Sequence, residues 1–498
     1  MSTREKKFLL PALCLQIIFL AAFCSAQDFE ANITLAPNAP ETVQIKGKIL
    51  NQKIHESSKS WSFARSLAGV ENIGGRITNF NLSNEQKQTV AIKKLVPGEY
   101  LAEEQAENWI LQANLQTPSP QAMAHVSWIR EEQGILMLSD LMPQFAFQNN
   151  HPISARIKFD LPAGWKIISR EEKLGEGEFF VANFEKAIFL IGKNWREKEI
   201  SVDKNAFGFA ISGEWKFSDE EAFQMADAIF SEYKKLFGAI PFENARINLI
   251  HFPKDVEFDR WQAETRGANV TILSSDMPFK TLALQRLHEQ LRHEIFHLWL
   301  PNSLALTGNY AWFYEGFTVY QSLRTGLEMN QIRFEDFLRT LEQAQFIDSR
   351  RIRKTSLIET SKNRWNDSSS TVYARGMLVA FLCDAALLKN SNGKRSAADL
   401  FRQILKSHAV TSNQAAEGNA SVLNVLNNYA ELRLIVERYV NAAEKINWQT
   451  GLENTGIEAQ ESGSAVKFQV KTKLQNREKN LLEKLGYNNW RKSLGKSK

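Results

Sequence analysis

The chain has 498 residues, a formal net charge of +5, 43% apolar residues and 23% charged ones. That length exceeds what one hydrophobic core organises, so several domains are expected, and so small a charge excess gives no ground for nucleic-acid binding. The composition also excludes a disordered or collagen-like chain.

The first 26 residues read as a targeting segment. Arg4, Lys6 and Lys7 form a basic start, an apolar run extends from Phe8 to Phe23, and Cys24, Ser25 and Ala26 place small residues before Gln27. The run is shorter than the roughly 20 residues a spanning helix needs, and Pro11 interrupts it. The sequence therefore predicts a cleaved signal peptide, export to the periplasm or beyond, and no stable membrane anchor. No later segment reads as long and apolar enough to span. Cys14 and Cys24 lie in the removed segment, which leaves Cys383 without a partner for an internal disulfide.

Residues 27–210 show short alternating runs punctuated by Pro, Gly and Asn, as in "ITLAPNAPETVQIKGKI", "RIKFDLPAGWKII" and "FFVANFEKAIFLIG". Apolar residues two apart predict antiparallel strands and a β-sandwich-like domain. The period changes near residue 218: Ser218 and Glu221 have capping-box spacing, and a long amphipathic helix is expected until Gly238 and Pro241. A buried strand at "ARINLIHF" follows, then a helix from about Thr281 to Leu300, stopped by Pro301, and another from about Trp312 to Thr325, capped by Gly326. Residues 211–345 are expected to form an α/β domain, 346–460 a helical domain, and 461–498 a polar basic tail or terminal helix. The whole is multidomain α+β.

Within the second of these helices, "HEIFH" places His293, Glu294 and His297 in the pattern H-E-x-x-H. Four residues amount to about 400° of helix rotation, so both imidazoles leave one face and can meet one metal ion, with Glu294 beside them to act on a water. Glu315, in "WFYEGFTVY", is placed where a following helix can present a carboxylate, which would complete a His₂Glu set around one Zn²⁺ ion with an open position. Its neighbours Trp312, Phe313, Phe317 and Tyr320 are aromatic, and a carboxylate buried among them needs a partner. His288 lies about 140° round the helix from His293 and reads as a surface residue or a support behind the ligands. His251 and His408 have no supporting pattern.

"HEIFHLW" followed by "WFYEGFTVY" resembles the glycyl aminopeptidase family of gluzincin metallopeptidases, relatives of the aminopeptidase N family. The resemblance extends through "YKKLFGAIPF", "YARGMLVAFLCDAALL" and "KRSAADLF", about residues 215 to 405, and "LPAGWKI" is similar to part of the family's sandwich domain. It implies a thermolysin-like catalytic domain with zinc on His293, His297 and Glu315, Glu294 as general base, and Tyr373 of "YARG" as oxyanion donor. It further implies that an amine-anchoring glutamate should precede the zinc helix on a glycine-containing strand. In "TRGANVTILSS" the matching positions are read as Gly267 and Asn269, and an amide cannot form the charge-assisted bond to an ammonium. The expected activity is thus zinc-dependent hydrolysis of peptides, with aminopeptidase specificity left open. The alternative is a zinc-holding, peptide-binding protein of the same fold with weak or no turnover. No stretch after Gly463 has the length of the PDZ domain found in many family members, and the sequence does not set the oligomeric state.

Overall fold

The computed structural model describes residues 27–488, apart from 37–38, 52–58, 145–151, 203–204, 254–255, 352–353, 366–368, 411–414 and 464. The expected signal peptide and its two cysteines lie outside the described residues.

The alternating pattern of the N-terminal part becomes an eight-stranded sheet, whose centre pairs Phe29–Ala36 with Ala39–Ile49 on one side and Ala155–Asp160 on the other. Along the first of these strands Phe29, Ala31, Ile33 and Leu35 are buried and the residues between them are not, which is the period of two that puts one face on a core. That face meets a four-stranded sheet built on Gln133–Met137 and Ile188–Gly192, and Ile33, Trp109, Leu136, Phe189 and Ile191 share one cluster. The result is the expected sandwich-like layer of β-structure.

The next sheet has five strands in the order Arg196–Val202, Asn205–Ser212, Asn244–His251, Asn269–Ser274, Trp261–Arg266. Its first two strands begin before residue 211, so the α/β architecture begins at Arg196, earlier than the change in hydrophobic period suggested. The period misleads there because Asn205–Ser212 pairs in parallel with Asn244–His251 across a helix that the eye assigns to the next domain. That helix, Asp219–Phe237, starts with the capping box of Ser218 and Glu221 and ends on left-handed Gly238. The stretch around "TRGANVTILSS" is not one strand: Trp261–Arg266 and Asn269–Ser274 form a tight hairpin, and Trp261–Arg266 is an edge of the sheet whose Thr265 carbonyl accepts from the Asn302 side chain.

Beyond the sheet the fold is helical around Ser369–Asn390, which contacts Gly316–Glu328 and Phe334–Ser349. By length and composition this helix is apolar enough to cross a membrane, contrary to the sequence reading, but 83% of its most apolar window is buried inside the fold. It is apolar because helices surround it. The end of the described chain is packed rather than tail-like: the hairpin Ile457–Ser462/Ala465–Val470 places the Phe468 amide on Glu342, and the helix Asn476–Lys484 receives Arg324 at its C-terminal carbonyl.

Candidate metal centre

The helix Lys280–Phe296 runs from beside the edge strand to His297, whose backbone is still helical (φ −64°, ψ −16°), so the four-residue spacing keeps both imidazoles on one face. Leu300 fixes the second ring: its carbonyl lies 2.9 Å from His297 Nδ1, which places the proton there and turns the Nε2 lone pair inward. The two Nε2 atoms stand 3.1 Å apart.

The third group comes from a break in the chain. The expected helix from Trp312 to Thr325 is two helices, Ala311–Tyr314 and Gly316–Glu328, and Glu315 sits at the joint. Gly326 does not end the second; it lies inside it because the side-chain space is taken by the Arg292 guanidinium, 1.5 Å from where a Cβ would be. The chain reaches the site by backbone contact: a Cβ on Gly316 would fall 2.3 Å from Gly376 Cα on the central helix, so only a glycine pair lets Glu315 and Tyr373 approach. The aromatic neighbours Trp312, Phe313, Phe317 and Tyr320 are all buried, as is Glu315.

Glu315 Oε2 lies 3.3 Å from His293 Nε2 and 3.4 Å from His297 Nε2. It has no hydrogen-bond partner although it is sealed from solvent. Three lone-pair atoms separated by 3.1–3.4 Å match the edges, about 3.3 Å, of a tetrahedron whose centre is about 2.05 Å from each corner, the distance at which zinc binds imidazole nitrogen and carboxylate oxygen. An orphaned buried carboxylate oxygen facing two imidazole lone pairs is a donor set that a divalent cation satisfies. Glu294 also stands within 4.8 Å of both histidines, but its carboxylate is 4.0 Å from His293 Nε2 and accepts instead from Thr265 Oγ1 at 2.8 Å. It is beside the set rather than part of it.

Arg364 is the organising residue that sequence reasoning missed. Its Nη2 lies 2.8 Å from Glu315 Oε1 and 3.0 Å from the Tyr373 hydroxyl, and its Nη1 donates to the Tyr314 hydroxyl at 3.0 Å. One carboxylate oxygen is thereby held while the other faces the histidines. Burial pushes the Glu315 carboxyl up, but Arg364 and the two imidazoles pull it well below the usual range, so it is an anion. Burial and the neighbouring Glu315 hold the Tyr373 phenol well above its usual range, so its O–H is a donor. The Tyr373 ring stacks on His293 at 6.2 Å.

The resemblance pointed to Gly267 and Asn269 as substrate contacts, and the structure places neither on the cavity wall. Gly267 is the hairpin turn, with φ +59° and its amide on Asn302. Asn269 is buried in the next strand and its amide reaches the Lys186 carbonyl. The strand carboxylate that does line the cavity is Glu264, with His293, Glu294, Glu315, Arg364 and Tyr373. It could have been found by counting three residues back from Gly267 rather than two forward, a choice that depends on knowing the hairpin. Glu264 is not a bare anion: His125 Nδ1 lies 2.6 Å from one oxygen and Arg266 2.9 Å from the other. Burial raises its pKa, and Arg266 and His125 more than offset this, holding it at about 2. His125 belongs to the N-terminal β-region, so that region supplies part of the wall. Of the two places expected for His288, at the surface or as a support behind the ligands, the structure excludes the surface: it is buried, and burial with Arg292 pushes its pKa down to about 3.

A sheet edge, a helix bearing two imidazoles and a carboxylate at the start of the next helix converge on one candidate metal centre. No protein-family model matches the chain. No curated protein matches it either. Among solved structures, an aminopeptidase N family protein from Idiomarina loihiensis is similar with a TM-score of 0.71 at 16% identity, over 87% of this chain and 79% of that one. An M1 zinc metallopeptidase from Deinococcus radiodurans gives 0.52 at 12% identity, over 85% of this chain and 96% of its own. A mutant of a two-domain M1 zinc metallopeptidase bound to L-arginine gives 0.51 at 11%, over 84% and 96%. The fold is therefore similar to that of M1 zinc metallopeptidases, as the resemblance in sequence implied.

Proposed function

We propose that the chain is an exported zinc-dependent peptidase that removes residues from free amino ends. The observation that carries this is the triangle of His293 Nε2, His297 Nε2 and Glu315 Oε2, with Glu294 next to it and an open cavity in front. When bound there, one zinc ion supplies Lewis acidity, polarising a carbonyl and acidifying water.

The chain's own residues supply the rest. Glu294, anchored by Thr265, is positioned to take a proton from an attacking water and return it to the leaving amine. Tyr373 keeps its proton and donates to the oxygen on which charge develops. The edge strand Trp261–Arg266 can pair with an extended peptide backbone, and Glu264 on that strand offers an ionised carboxylate to a substrate ammonium. Export rests on the basic start and apolar run of residues 1–26.

The test is hydrolysis of a peptide library with free and acetylated amino ends by the zinc-loaded protein and its Glu294→Gln variant. Cleavage of free-amine peptides, lost in the variant while zinc is retained, is the expected result. Zinc retention without cleavage by the wild type would overturn the reading in favour of a peptide-binding role. Equal cleavage of acetylated peptides would refute the amine-anchoring role of Glu264.

A further inference from the structure

The centre opens on its far side into a second cavity of about 490 Å³, which shares His293, Glu294, Ala263 and Tyr373 with the first. Arg292 forms part of its wall. Only 3% of this residue is exposed, yet among the described residues Nε and Nη1 of its guanidinium have no hydrogen-bond partner and no carboxylate forms an ion pair with it, Glu289 acting on it only as a nearby charge. Nε and Nη1 are sealed from solvent, with Nη1 against Gly326, which leaves Nη2 as the nitrogen on the cavity side.

The acidic residues of the same wall are already engaged. Glu289 is held by Arg286 at 2.7 Å, Asp336 by Arg333 at 3.0 Å, and Glu294 by Thr265 at 2.8 Å. A buried cation without a partner is costly, and a carboxylate offers both the charge and the acceptor that it lacks. The position fixes which carboxylate. On the edge strand Glu264 borders the first cavity and Trp261 and Gln262 the second, so a peptide lying along that edge with its amine at Glu264 crosses the metal site and enters the Arg292 side beyond the cut bond.

We infer that the second cavity is a subsite for a carboxylate on the leaving side of the substrate, recognised by Arg292. This rests on the peptidase reading above. A terminal carboxylate makes the preferred substrate a very short peptide; an acidic side chain leaves its length free.

The experiment is calorimetric binding of Ala-Ala, Ala-Ala-amide and Ala-Asp-amide to the zinc-loaded Glu294→Gln protein, with and without Arg292→Gln. Tighter binding of Ala-Ala than of its amide, by on the order of 10- to 100-fold, is expected. The Arg292→Gln change should bring that ratio to near one while the affinity for Ala-Ala-amide is kept. Recovery of affinity by Ala-Asp-amide assigns the site to an acidic side chain, and its absence to the terminal carboxylate. Equal affinity for all three peptides, or no binding of any, overturns the inference without recourse to the Arg292 variant, whose folding need not be assumed. Failure of the peptidase reading is seen separately, as zinc-loaded wild type that cuts no peptide.

Discussion

Gly376→Ala tests whether the central helix and the Glu315 helix are in backbone contact for the sake of the site. On an exposed helix this change stabilises by about 1 kcal/mol, because alanine has the better helix propensity. Here the new Cβ would fall 2.5 Å from Trp312 O and 2.8 Å from Gly316 Cα. Both obstacles are backbone, so the two segments must separate by about 0.6 to 0.9 Å to reach ordinary contact. Overpacking of this kind costs about 1–3 kcal/mol, so after the propensity gain the net expectation is a loss of up to about 2 kcal/mol in urea denaturation. The same displacement moves Glu315, next to Gly316, away from the histidines, and zinc affinity measured against a competing chelator should fall at least about tenfold. A variant more stable than the wild type, with unchanged zinc affinity, would refute the contact.

Arg364→Ala should weaken zinc binding by about 10- to 100-fold, since it frees Glu315 Oε1 and leaves the carboxylate unoriented; partial recovery on adding free guanidinium distinguishes lost positioning from a collapsed site. Burial lowers the proton affinity of His297, but Glu315 and Glu294 more than reverse this, so its pKa is raised in the folded, metal-free protein. Its contribution to stability is therefore present below roughly pH 6.5 and lost as pH rises through the raised value, while zinc affinity climbs over the same window because the proton must leave. Denaturation of the metal-free protein and of His297→Gln across that window should show a difference that shrinks with rising pH; a growing difference contradicts the assignment. Asp384→Ala removes the partner of buried Arg324, 2.5 Å away, and should cost about 3–5 kcal/mol in the same denaturation assay.

What could be read from the sequence was local. The capping box at Ser218, the alternation in Phe29–Ala36 and the four-residue spacing of His293 and His297 are properties of neighbouring residues, and each survives in the structure. The features missed depend on distant packing. Arg364 meets Glu315 across 49 residues and His125 meets Glu264 across 139, with no periodicity to announce either contact. Gly326 looked like a helix cap because a glycine after a periodic run usually is one. Its actual reason, room for Arg292, exists only after two helices have packed. The reading of Asn269 depended on register: it took a hairpin for a single strand, and the carboxylate that borders the cavity, Glu264, stands on the strand before the turn.

The account stands most directly on metal content. Elemental analysis of the purified chain should find one zinc ion per molecule, with His297→Ala and Glu315→Ala binding little or none and Glu294→Gln binding as much as the wild type. Wild-type protein that takes up no zinc from a zinc-containing buffer, or a Glu315→Ala variant that holds it as tightly, would contradict the central claim that His293, His297 and Glu315 form the metal site.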